Sequence, residues 1–178
     1  LTSLEAAVAQ LGQRGIHDVV SRAVMAPVFD LKPGRLNPAA GTLLWEQADG
    51  CARACARECA GAAERFDAYL AGMVANTGLI VALRLLEQPP AGAAPASLDF
   101  HRQLATLSPR LSARIARQWC LPDTVVLAVE SLAEPADGAV SGLAAALRRA
   151  DRASKAQVMA DLGGAGSQDA GPDHPARG

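Results

Sequence analysis

Apolar residues recur at three- and four-residue steps through most of the chain, the period of helices that bury one face. Strand-like alternation is absent apart from the short run 124–126, so the pattern predicts an all-α fold with no sheet. A first helix starts at Thr2 or Ser3, whose hydroxyl can accept from free amides. It stops at Gly12, with Leu4, Val8 and Leu11 on its apolar face. A second covers 15–29, where Ile16, Val19, Val20, Ala23, Val24 and Pro27 fall at helical spacing and Pro27 kinks or ends it. The segment 30–38 (DLKPGRLNP) reads as a loop. Helices follow over 41–60 and 63–76, and Thr77-Gly78 divides the latter from 79–87.

From 88 to 96 (QPPAGAAPA) the composition turns to Pro, Gly and Ala, which marks an exposed loop between helices rather than a domain boundary. Helices resume over 97–107 and 108–119, then over 122–133, where Pro122 suits a helix start and Asp123 its positive dipole end. The last covers 140–162. Beyond it GGAGSQDAGPDHPARG has too little apolar surface to order itself, so one helical domain over 1–162 and a disordered tail over 163–178 are expected. With aromatics at only 3%, Trp45 and Trp119 are expected in the core, with Cys120 buried beside Trp119.

At 178 residues and 50% hydrophobic, the chain is long enough for one sizeable core. A net charge of −1 provides no field for bulk nucleic acid or an anionic membrane. No apolar run was found to approach the ~20 residues of a bilayer span, and no signal peptide is visible, which leads us to expect a cytoplasmic protein. A start at Leu1 reads as a piece of something longer.

Three side-chain patterns carry candidate chemistry. Cys51, Cys55 and Cys59 step by four along one helix face, either as a thiolate cluster for zinc or iron-sulfur or as small residues for close helix packing. Each step climbs about 6 Å, too far for three thiols to meet one ion easily, and this favours packing. His17, His101 and His174 have no metal-ligand spacing. Arg110, Arg114 and Arg117 lie at i, i+4 and i+7, either as a solvated face or as a docking strip for an acidic partner or a phosphate. No Gly-rich phosphate loop or Ser-His-Asp set is present.

SLEAAVAQLGQRGIHDVV (3–20), LWEQADGCARACARECAGAAERFDAYLAGMVANTGLIVALRLL (44–86) and LSPRLSARIARQWCLPDTVVLAVESL (107–132) together resemble the HDOD family, bacterial signalling domains related to the HD and HD-GYP phosphodiesterases. The resemblance covers about 4–151 and implies an HD-like orthogonal bundle. Hydrolytic relatives carry histidines and a His-Asp pair for one or two metal ions that activate water. Here Gln47, Ala75 and Asn76 stand at those places, and Ser108 and Leu132 where later histidines occur in metal-competent relatives. Asp151 matches a late family aspartate, and on its own helix Arg148 or Arg152 is its expected partner. Tyr69 precedes Leu70, so no Gly-Tyr-Pro element exists.

The resemblance implies no cofactor and a non-catalytic signal transduction module that binds response regulators or diguanylate cyclases. The alternatives are a degenerate enzyme that binds a nucleotide or cyclic dinucleotide without cleaving it, and a metal hydrolase with altered ligands.

Overall fold

In the computed structural model, residues 3–31, 39–86, 97–134 and 142–168 are described. They form α1(Leu4–Phe29), α2(Ala39–Arg57), α3(Ala62–Val74), α4(Thr77–Leu86), α5(Leu98–Gln118), α6(Asp123–Ser131) and α7(Gly142–Gln168), with no strand among the described residues. The all-α expectation holds. Helix α2 packs most extensively, against α3 on one side and α7 on another, while α4 lies on α5 and α6 joins α3, α5 and α7.

The Ser3 hydroxyl accepts from the Ala6 amide at 3.1 Å and caps α1. The expected stop at Gly12 is a kink within α1 instead. Gly12 has φ 63 and ψ 178, a conformation essentially confined to glycine. The apolar face expected on this helix is the wrong one for the core. Met25 and Phe29 are buried, but Val19, Val20 and Val24 are exposed, Val24 by 67%. Arg84 from α4 donates to the Pro27 and Asp30 carbonyls at 3.0 and 2.9 Å, so the open C-terminal end of α1 is met by a cation.

The break expected at Thr77-Gly78 falls two residues earlier, at Ala75-Asn76, and α4 begins at Thr77, whose hydroxyl donates to the Val74 carbonyl. Helices expected over 97–107 and 108–119 are one helix, α5. Its interior Pro109 costs a backbone bond, but α4 packs across it, with Gly78 against the backbone of both Ser108 and Ser112. Residues 88–96 lie outside the described residues. Helix α7 runs to Gln168, so the tail expected from 163 begins on helix, and 169–178 lie outside the described residues.

Small residues set the core. A Cβ on Gly72 would lie 2.4 Å from the Ala52 Cα, so α2 and α3 cross at near backbone contact. Cys51 and Cys55 pack there with Ala68, Ala71, Leu147 and Ala150, while Met73, Val74, Tyr69 and Ile80 fill a second cluster with Met25 and Phe29. Trp45 is half-buried with its ring edge-on to Phe29, centroids 5.5 Å apart. Trp119 departs from expectation at 43% exposed, and Cys120 beside it is exposed, not buried. Both lie at the helix end: Trp119 is the C-cap, and Cys120 has φ 54, which stops the helix and brings Leu121 back onto the core.

By length and composition the run Ala62–Leu85 does reach what a membrane span requires, contrary to the sequence reading. Most of it is buried inside the protein, as the paired core helices α3 and α4.

Candidate functional site

Gln47 on α2, Asn76 in the α3–α4 turn and Asp151 on α7 converge. The Asn76 amide donates to Gln47 Oε1 at 2.7 Å and to Asp151 Oδ1 at 3.5 Å. The Gln47 amide donates in turn to Asp151 Oδ1 at 3.3 Å and to Ser154 Oγ at 3.0 Å. Gln47 and Asn76 are buried, and the other Asp151 oxygen meets Lys155 Nζ at 2.7 Å. Asp151 therefore pairs with Lys155, four residues on, and not with Arg148 or Arg152. Arg148 reaches the Ser131 carbonyl and Glu134 instead.

Ser154 and Lys155 were missed from the sequence. Their signal was positional: they follow Asp151 by three and four residues, on the same face of α7.

The remaining positions stand apart from this network. Ala75 is a buried methyl in the core, and its carbonyl accepts from Ser112 Oγ at 2.8 Å. The same Ser112 hydroxyl accepts from the Gly78 amide at 2.8 Å, so it bridges the end of α3 to the start of α4. Ser108 donates to the Leu104 carbonyl of its own helix, and Leu132 packs on the core.

A divalent ion of the HD type needs several carboxylate or imidazole donors. The converged set has one carboxylate, already matched by an ammonium group, together with two amides and a hydroxyl. These residues do not fit such a metal, and among the described residues no three His, Cys, Asp or Glu side chains gather for one.

The cysteines follow the packing alternative. Burial pushes the Cys51 thiol well above its ordinary range, helped by the nearby Asp151 charge. Burial, then Cys59 and Glu58, pushes Cys55 up to about 12, while burial, Glu64 and Glu58 raise Cys59. Neutral thiols are poor ligands and poor nucleophiles. His17 packs against Phe66 with ring centroids 4.5 Å apart and the rings tilted by 38°, and His101 Nδ1 lies 2.9 Å from the Ser97 carbonyl oxygen. His174 lies outside the described residues.

Arg110, Arg114 and Arg117 line one exposed side of α5, with the exposed Leu107 in register. Arg117 is ion-paired to Glu130 of α6 at 2.6 Å, which leaves Arg110 and Arg114 as the cations of the strip without such a partner among the described residues.

The fold and this cluster define a helical bundle with an amide-rich polar centre. The chain belongs to the HDOD domain family, whose model matches residues 1–135. Helix α7, with Asp151, lies beyond the matched span, so its part in the cluster is known from the fold. Nothing among curated proteins and nothing among solved structures matches the chain.

Proposed function

We propose that this protein is a non-catalytic bacterial signal transduction module that works in the cytoplasm by binding other signalling proteins, of the response regulator or diguanylate cyclase type. The observation that supports this most is the Gln47–Asn76–Asp151–Ser154 network. Neutral amides occupy the ligand places, and the single carboxylate is neutralised by Lys155. Such a centre holds helices together without activating water. A nucleotide held in this same place without cleavage is the second reading, and it draws less support, because the polar groups already satisfy one another.

The partner surface we assign is the outer side of α5. Arg110 and Arg114 present forked donors beside the exposed Leu107, a combination suited to an acidic surface with an apolar centre. The experiment compares the parent protein with the triple reversal of Arg110, Arg114 and Arg117 to Glu as baits in cell extract. Association rates at low and high salt are then measured for each captured partner. The helical signal should stay intact, association should slow, and its salt dependence should flatten. An unchanged partner list with unchanged rates overturns the assignment of this face. One equivalent of iron, manganese or zinc surviving dialysis, with phosphodiester turnover lost in Asp151→Ala, overturns the non-catalytic reading.

A further inference from the structure

A groove of about 960 Å³ runs between α1, α2 and α3, on a different side of α2 from the amide cluster. Its volume is that of a small-molecule site. Three guanidinium groups line it, Arg53, Arg57 and Arg65, against one carboxylate, Asp18. Arg53 is bound at 2.6 Å to Asp49, a buried carboxylate that also takes Arg22 at 2.9 Å. Two guanidinium groups thus share one carboxylate, and one unit of positive charge is left over. Arg65 spends its Nε on the Cys59 carbonyl at 2.7 Å, and Arg57 is exposed with no hydrogen-bond or ion-pair partner among the described residues.

Two further features belong to the groove wall. Tyr69, which forms part of its wall, is 4% exposed, yet its hydroxyl has no hydrogen-bond partner among the described residues. Leaving a buried hydroxyl unmatched costs about 1 to 3 kcal/mol, and native structures rarely tolerate it. Ala62 and Ala63, the first residues of α3, also line the groove, but the Glu64 carboxylate already accepts from the Gly61 amide at 3.4 Å, so the start of this helix is not an open anion site. The rings of His17 and Phe66, tilted by 38° with centroids 4.5 Å apart, supply an apolar part of the wall.

We propose that this groove binds a phosphorylated small molecule with a flat ring, of the nucleoside monophosphate class, with its phosphate toward Arg57 and Arg65 and its ring against Phe66 and His17. Forked guanidinium donors are matched to phosphate oxygens. Asp18 can accept from the sugar hydroxyls. Burial and the Asp49 charge hold the Tyr69 hydroxyl protonated well past neutral pH, so it stays a donor. This site is independent of the amide cluster and of the α5 face.

The test is calorimetric titration of the full chain with the four ribonucleoside monophosphates, with adenosine and with inorganic phosphate, alongside the ring-proton spectrum of the histidines. At least one monophosphate should bind saturably, about tenfold or more tighter than adenosine or phosphate alone. The His17 ring signals should move with saturation while those of His101 stay still. Arg57→Ala, which removes an exposed side chain with no partner, should weaken binding about tenfold or more at an unchanged melting temperature. Tyr69→Phe should weaken it by a smaller factor, and Arg110→Ala should not change it. Absence of saturable binding overturns the proposal. So does binding that survives Arg57→Ala, or binding that is lost in Asn76→Ala but kept in Arg57→Ala, which would put the ligand in the amide cluster.

Discussion

Asn76→Asp changes one atom group at the centre of the polar network and converts its donor into an acceptor. The parent amide gives its hydrogens to Gln47 Oε1 at 2.7 Å and Asp151 Oδ1 at 3.5 Å. In the variant a carboxylate oxygen faces both. Two unit charges 3.5 Å apart repel by about 5 kcal/mol at an effective dielectric constant of about 20. The lost bond to Gln47 adds about 1 kcal/mol or more. Lys155, 2.7 Å from the other Asp151 oxygen, offsets part of this, so a net cost of about 3 to 5 kcal/mol is expected. For a chain of this size that lowers the melting temperature by about 10 °C at neutral pH.

Asn76→Ala separates the terms, since it loses the amide without adding charge and should cost only about 1 to 3 kcal/mol. The sign with pH follows from two facing carboxylates, which cannot both ionise cheaply. The penalty of the Asp variant is full when both are charged and shrinks as acid protonates one of them. Thermal melts of parent, Asp and Ala variants across that range decide the matter. If the Asp variant melts within about 2 °C of the parent at neutral pH, or gains nothing relative to it in acid, the amides are not arranged as described.

Gly72→Ala should destabilise by about 1 to 3 kcal/mol or more in urea denaturation, because its methyl would meet the Ala52 backbone at 2.4 Å with no flexible side chain to yield. Under native conditions a thiol reagent should label Cys120 quickly and leave Cys51 and Cys55 protected until unfolding, read by mass spectrometry. Cys55 is raised in the fold from 9.0 to about 12, so its burial contributes fully below pH 9.0 and is lost as pH rises toward about 12. Stability measured across that window should fall with rising pH. Trp119→Ala should cost well under the about 3 to 5 kcal/mol of a buried tryptophan, since Trp119 is 43% exposed, and acrylamide should quench Trp119 more than Trp45.

Periodicity carried the helical class and most helix bodies, because a 3.6-residue repeat is a local property of the chain. It carried the α1 stripe less well. Val19, Val20 and Val24 have the spacing of a core face, yet Met25 and Phe29 are the residues that α2 and α4 leave room for. Pro109 likewise reads as a break until the packing of α4 across it is known. Trp119 reads as core by composition, and only the structure places it at the C-cap of α5, partly in solvent. At the candidate site, Gln47, Asn76 and Asp151 were legible through family resemblance, but their meeting depends on contacts between residues 104 and 75 positions apart. The groove with Tyr69 left no sequence signal at all, since an unmatched hydroxyl is visible only in three dimensions.

The pairing of Asp49 with two arginines has a consequence for how the molecule opens. Arg22 comes from α1, whereas Arg53 is on the same helix as Asp49. If α1 lifts away, it takes one guanidinium with it and leaves the other in place, so no carboxylate is stranded unneutralised in the interior. Helix α1 makes few contacts with α2, α3 and α4, and much of its apolar surface is already in water. What opposes its departure is the burial of Met25 and Phe29 in the core. With few packing contacts outside that anchor, its amides are expected to exchange with solvent ahead of those in α2, α3 and α7, as hydrogen-exchange measurement would show.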